Sequence, residues 1–452
     1  MSMRNGFVLA VSVILLSSCQ TGPDFGPPSA PQNWVHTQDE AVKAFEAPAL
    51  RHWWLGFEDT TLNAFVGAAL TSSPDIKDSQ AKILEARGNW RSNRATLFPL
   101  LTGHVNKGRQ DIALADADNY YDAAFDASYE IDLFGQNRNK AGAAKSLLVV
   151  SEASHRAVTL SLIAEVSRNY IQYRTFKTQA AIADKNLSAQ KKSLDLVRHQ
   201  KEVGVAPQLD VERAETLYHT TRASIQAFEQ QADAAALRLS VLTGLFPAKV
   251  KDLLGLQASM PRAAIGPVLM APADVLAERP DVQAAWANLS AQGDLADSAF
   301  AALFPTFTLS GFFGVEDSAL ASTTQVWSVA LGAAATLLDF GRLAGQVDAA
   351  RAREVQAYEG LRKSVLQAVA DVETALSAYA RLHEQSLYLD QAKENAQRSL
   401  VISEELYKEG EISFLDVLDA QRTANDADSA AVSAQSDKVL ALVALYKALG
   451  VY

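Results

Sequence analysis

Cysteine is nearly absent from this chain: Cys19 is the single one among 452 residues, so no disulfide can form within it. Histidine is sparse, with seven scattered along the sequence. His383-Glu384 is followed by Leu387 where a zinc-hydrolase helix needs a second histidine, and no glycine loop of the phosphate-cradling kind is present. These absences argue against an enzyme. Basic residues are outnumbered, 41 Lys and Arg against 52 Asp and Glu, and the net charge of −11 argues against nucleic acid or an anionic surface as partner. Beyond the N-terminal run, methionine is limited to Met260 and Met270, which with no histidine cluster argues against soft-metal selection by this chain. Glycine and proline are missing from Arg362 to Glu409 and again from Glu411 to Leu449, so neither stretch has the punctuation that ends an ordinary globular helix. Two long rods are predicted to meet at a turn around Gly410.

What is present begins with an address. Arg4 precedes an apolar run from Phe7 to Leu16, too short to cross a bilayer as a helix, and Leu16-Ser17-Ser18-Cys19 follows. The pattern resembles a bacterial lipoprotein signal: residues 1–18 would be removed, and Cys19 would carry an N-acyl diacylglycerol anchor. Gln20, rather than Asp, favours the outer membrane by the same resemblance. Residues 19–60 read as a Pro/Gly-rich tether and an entry segment, with Trp53-Trp54 placed to seal a helix end.

The remainder is a tandem duplication. Gly204 and Gly410, Asp210 and Asp416, Pro74 and Pro280, Pro99 and Pro305, Gly135 and Gly341, and Gly244 and Gly450 are each separated by the same offset, 410 − 204 = 206. Repeat 1 covers 61–243, a connector 244–272, and repeat 2 covers 273–452. Length alone suggests two or three domains, but two halves that share one architecture form one pseudo-symmetric unit.

Each repeat starts helical and then changes period. Tyr121, Ala123, Phe125, Ala127, Tyr129 and Ile131 alternate with Asp122, Ala124, Asp126, Ser128, Glu130 and Asp132, as a strand needs when one face meets lipid and the other a wet lumen. Strands are predicted at about 99–110, 121–133, 305–314 and 326–338, with surface loops at 110–120 and 315–326. The parity agrees between copies. Four strands cannot close a barrel, and open edges are not tolerated in hydrocarbon, so an assembly of at least two chains is required. After each strand pair comes a helical segment of roughly 65 residues, on the order of 100 Å long. Thr159, Ile163, Val166, Tyr170 and Tyr173, and in the second copy Val365, Val369, Val372, Leu376 and Tyr379, step by four and three to form a coiled-coil seam. The fold class expected is mainly α with membrane β.

Gly22-Pro23-Asp24-Phe25, Trp53-Trp54, Tyr129-Glu130-Ile131-Asp132-Leu133-Phe134-Gly135, Glu278-Arg279-Pro280-Asp281-Val282, Leu338-Asp339-Phe340-Gly341-Arg342 and Leu418-Asp419-Ala420-Gln421-Arg422 occur in one order. Together they resemble the TolC-type outer-membrane factors, most closely the NodT/OprM-like lipoprotein members of resistance-nodulation-division efflux systems. The resemblance implies a homotrimer with a twelve-stranded β-barrel in outer-membrane lipid and a twelve-helix periplasmic α-barrel. A periplasmic adaptor (membrane fusion) protein and an inner-membrane transporter would open it. It implies passive efflux of drugs or other small molecules, with type I protein secretion or metal efflux as the alternatives.

The resemblance also assigns residues. Leu415, Asp419 and Arg422, spaced i, i+4 and i+7 on one helix face, would form the periplasmic gate, and Tyr407 and Lys408 would help lock it. The first-copy counterparts Leu209, Arg213 and Thr216 do not reproduce the polar pair. The tips (203–208 and 409–414) would meet the adaptor through Val203, Gly204, Val205 and Ala206, and through Glu409, Gly410, Glu411 and Ile412. No catalytic residue, metal ligand or other cofactor is expected. Ser413 and Asp416 have capping-box spacing.

Overall fold

The computed structural model describes residues 31–38, 52–112, 115–255, 260–261, 270–318 and 321–452. The signal segment, Cys19 and the Gly22–Phe25 motif lie outside the described residues. The helices are α1 Thr60–Ser72, α2 Pro74–Ala95, α3 Gln136–Glu202, α4 Gln208–Thr243, α5 Pro247–Leu254, α6 Pro272–Glu278, α7 Pro280–Ala301, α8 Arg342–Glu409 and α9 Phe414–Leu449. The strands are β1 Leu100–Ile112, β2 Ala115–Ile131, β3 Thr306–Ser318 and β4 Ala321–Ala334. The chain divides into two compact units. One holds Leu84–Val150 and Ala285–Arg362; the other holds Ser29–Ile83, Ser151–Ala284 and Lys363–Tyr452.

The first unit contains one antiparallel sheet in the order β1-β2-β3-β4. Its registers pair odd residues with odd: Gly103 with Phe125, Phe125 with Phe313, and Phe313 with Trp327. The odd face is apolar and exposed, with Leu101, Val105, Phe125, Leu309, Phe313, Trp327, Val329 and Leu331 all open to the surroundings. On the even face His104 bridges two carboxylates, Nε2 to Asp122 at 3.0 Å and Nδ1 to Asp126 at 2.9 Å.

The strands run further than their alternation. The stretches 110–120 and 315–326, read from sequence as loops, are mostly ladder, which continues to Ile112 opposite Ala115 and Ser318 opposite Ala321, each after a register shift. Backbone pairing does not require an apolar face, so Asp- and Ser-rich strand ends beyond the apolar band stay paired while showing no period-2 signal. At the opposite end Leu337 and Leu338 lie beyond the close of β4 at Ala334.

In the same unit α3 lies against α7. Ser298 Oγ donates to the Gln136 carbonyl at 2.9 Å. Phe134 stacks on Phe304 with ring centroids 4.6 Å apart. A Cβ at Gly142 would stand 2.7 Å from Asp294 Oδ2, so the carboxyl occupies the space a side chain would fill. Burial, and secondarily the nearby Asp297, push the Asp294 pKa up.

The second unit is helical and holds the main core. Leu62, Phe65, Ile163, Val166, Tyr170, Val372, Leu376, Leu445 and Leu449 are buried there, so the four-three stripes on α3 and α8 face inward. Trp53 is buried and stacks on Tyr446 at 5.3 Å. The α1 N-terminus is tied to this core through one carboxylate. Asp59 Oδ1 caps Thr61 N–H at 2.9 Å, while Oδ2 accepts from Tyr170 Oη at 2.7 Å, and Arg174 Nε donates to that hydroxyl at 2.9 Å. Burial, helped by the bond to Asp59, raises the Tyr170 pKa well above its ordinary value.

The first helix of each repeat is broken before a proline, at Ser73-Pro74 and at Arg279-Pro280, because Pro cannot donate to the preceding turn. The closing glycines seat against those breaks. Gly244 (φ 68°) would place a Cβ 2.6 Å from the Ser72 carbonyl, and Gly450 (φ 80°) one 2.7 Å from Arg279 Cγ. The connector 244–272 is not wholly irregular: α5 lies within it, started by Pro247 at its first turn and burying Val250 and Leu254.

Candidate functional site at the helical tips

The two hairpins differ in how their return helices begin. α4 starts after Pro207, with Asp210 in its first turn and Arg213 Nη1 3.5 Å from that carboxylate. α9 starts after Ser413, whose N–H and Oγ both donate to Asp416 Oδ2, at 2.9 and 2.6 Å. The Ser413 hydroxyl bond, followed by its N–H, holds the Asp416 carboxyl below the ordinary range. The turns are made by Gly204 (φ 79°) and Gly410 (φ 81°), with no atom in the way of a Cβ at either, so backbone conformation alone selects glycine there.

Near the turns the hairpins share a small core of Leu194, Val197, Val211, Ala214, Phe414, Val417 and Leu418. Tyr407 packs on it, its ring 5.5 Å from Phe414, and its hydroxyl donates to Gln200 Oε1 of the first hairpin at 2.6 Å. Gln421 Nε2 donates to Ser193 Oγ at 2.9 Å, a second tie between the hairpins. Sequence reasoning picked out Tyr407 but missed Gln200, Phe414 and the Gln421–Ser193 bond. The staple positions of α9, N′ and N4 about the Ser413 cap, are Ile412 and Val417, and both pack on this core; nothing local singled out Phe414, Gln200 or Ser193.

Of the eight residues at the turns, Val203, Gly204, Val205, Glu409, Gly410 and Glu411 are exposed, whereas Ala206 and Ile412 turn back onto the shared core. Lys408 is exposed in the last turn of α8, where a cation meets the negative helix end. Leu415 is exposed, in contrast to the buried Val417 and Leu418 beside it. Arg422 Nη2 bonds Asp419 Oδ1 at 2.5 Å on the helix surface, and both side chains are well exposed. Arg422 also lines a groove of about 360 Å³ walled by α3, α4 and α9, with Asn186, Thr220, Asn425 and Asp426 among its polar lining. The arrangement presents one apolar and two oppositely charged side chains in line along α9, with no nucleophile–base geometry.

A second polar centre lies at the other end of the return helices. Arg279 donates to Asp281 (Nη2 to Oδ2, 2.7 Å), to Asp371 Oδ2 (2.9 Å) and to the Ala448 carbonyl (2.8 Å). Burial opposes the charge on Arg279, but the bonds to Asp281 and Asp371 outweigh it and raise the pKa. Asp281 is pushed up by burial and pulled down further by Arg279, ending below its ordinary value.

Comparison with known proteins gives one consistent result. The family profile described as "Outer membrane efflux protein" matches residues 65–245 and 271–451, one match for each repeat. The chain is 31% identical to the pyoverdine export outer membrane protein OpmQ of Pseudomonas aeruginosa over 469 aligned positions, covering 100% of this chain and 97% of that one. It is 29% identical to the toluene efflux pump outer membrane protein TtgF of Pseudomonas putida, covering 99% and 97%. Among solved structures, the outer-membrane channel OprN superposes with a TM-score of 0.88 at 29% identity, over 96% of this chain and 99% of that one.

Proposed function

We propose a mechanism from one premise: the chain belongs to the outer membrane efflux protein family and is an outer-membrane efflux channel with a TolC-like fold. The duct is passive. Three copies form a homotrimer; within one chain β1 and β4 are edges of the sheet, and an edge in hydrocarbon must be paired with another copy. Twelve strands then make the membrane barrel and the long helices the periplasmic tunnel. Cys19 carries the lipid anchor. A periplasmic adaptor docks on the exposed turn residues Val203, Gly204, Val205, Glu409, Gly410 and Glu411, with Ala206 and Ile412 supporting them from behind. A resistance-nodulation-division transporter supplies the energy.

The gate is the α9 face carrying Leu415, Asp419 and Arg422, repeated around the threefold axis, with Tyr407 and Lys408 holding the hairpins shut. The observation that carries the channel reading is the exposed apolar odd face of the sheet opposite its charged even face. The exposed Asp419–Arg422 pair, absent from the first hairpin, supports the gate assignment. The relatives' names, pyoverdine export and toluene efflux, support small organic molecules as cargo. In planar bilayers, D419A/R422A should raise single-channel conductance; unchanged conductance with unchanged drug susceptibility would remove the gate assignment.

A further inference from the structure

Because the two halves are copies, a contact seen once between them specifies the contact that the remaining edges should make. Within one chain the end of β2 and the start of α3 meet the start of β3 and the end of α7. Three contacts mark that seam: Phe134 on Phe304, Gly142 against Asp294, and the Gln136 carbonyl on Ser298 Oγ. Adding the repeat offset to the first member of each pair and subtracting it from the second gives Phe340 with Phe98, Asp348 with Gly88, and the Arg342 carbonyl with Ser92. The chemistry survives the exchange. Two phenylalanines again face each other, a glycine again faces an aspartate with the roles swapped between helices, and a serine again faces a helix-start carbonyl.

Among the described residues of one chain none of the three derived contacts is made. Phe340 is 93% exposed and Phe98 58%. Asp348 is exposed, and a Cβ at Gly88 would meet nothing within 4 Å, whereas one at Gly142 would strike Asp294. The sheet gives a fourth equivalence: β2 and β3 place Ile131 opposite Phe307, which maps to Leu337 opposite Leu101, 95% and 67% exposed.

We infer that these surfaces meet in a second copy of this chain. The β4–α8 edge of one protomer seats on the α2–β1 edge of the next, with Phe340 stacked on Phe98, Asp348 filling the space above Gly88, Ser92 donating to the Arg342 carbonyl, and Leu337 opposite Leu101. Such a contact is head-to-tail, and because an open sheet edge is not tolerated in hydrocarbon it closes into a ring. The inference rests on the trimeric reading above and adds to it a residue-level register.

The test exploits the repeat as its own control. In the full-length chain in outer membranes, G88C/D348C should oxidise to covalent dimers and trimers that reduction dissolves. G142C/D294C should close within one chain and leave the mass of a monomer. Native mass measurement separates the register from the trimer. A trimer whose edge pair stays uncrosslinked while the internal pair closes overturns the register and leaves the trimer standing; a monomer overturns both. Should neither pair close, a double-mutant cycle decides. F98A and F340A should each lower the temperature at which the assembly dissociates, with the double variant no worse than either single. Additive losses overturn the contact, and F134A serves as the internal comparison.

Discussion

The two hairpin tips share a backbone and differ in polar equipment. Leu209 and Leu415 are equivalent and both exposed, and Gly204 and Gly410 turn the chain identically. Arg213, however, pairs backwards with Asp210 in the first turn of α4, while at the equivalent place Asp419 pairs forwards with Arg422 a full turn deeper. α9 keeps its own first-turn carboxylate, Asp416, occupied by Ser413. The second hairpin therefore has a charged pair left over after its helix start is satisfied, and the first does not. The duplicated backbone thus carries different polar groups at its two tips.

The halves differ most in expected stability at the other end of the repeats, where Arg279 occupies the place of Ser73. Arg279→Ala leaves Asp281 and Asp371 facing each other and should cost about 2 kcal/mol in thermal or denaturant unfolding, less than a fully enclosed pair because both carboxylates keep partial solvent contact. Ser73→Ala should be neutral or slightly stabilising, since the buried Ser73 hydroxyl has no hydrogen-bond partner among the described residues. Equal losses at the two sites would mean the halves are not specialised there.

Next in size is the proposed gate. D419A/R422A should increase conductance several-fold in bilayers, whereas D210A/R213A should leave it unchanged; a matching increase from the first hairpin would break the asymmetry. Tyr407→Phe removes the hydroxyl that reaches Gln200 and should loosen the contact between hairpins by about 1 kcal/mol, read as a higher open probability. Lys201, the counterpart of Tyr407, should be replaceable by Met with no such effect.

The smallest effect is in pH. The Asp416 pKa is depressed in the folded tip, so its contribution is present above the ordinary aspartate value of 3.8 and is lost as pH falls through the folded value. A spin label at Glu411 should therefore become more mobile on acidification below about pH 4. D416N should show that mobility already at neutral pH, and a label at Val205 should not follow it.

Much of this architecture was legible in the residues alone. Periodicity of two against three and a half, the glycine turns and the shared offset together specified alternating strands, long rods and a tandem fold, because each is a local regularity set by backbone geometry. The same local view failed at 110–120 and 315–326, where polar residues stay in a ladder that only their partner strand makes visible, and at α5, a short helix inside a glycine-bearing connector. That Ala206 and Ile412, grouped with the docking turns by sequence, pack on the shared core was not visible locally, since nothing in a turn reveals which side its neighbour hairpin will cover. Leu415, Asp419 and Arg422 could be aligned on one helix face from their spacing. That Leu415 is exposed while Val417 and Leu418 are buried, that Tyr407 reaches Gln200 more than two hundred residues away, and that Arg279 gathers Asp281, Asp371 and a helix-end carbonyl depended on tertiary structure. Side-chain pairing across the chain is decided by which elements pack together, and that is a property of the whole fold, not of any window of sequence.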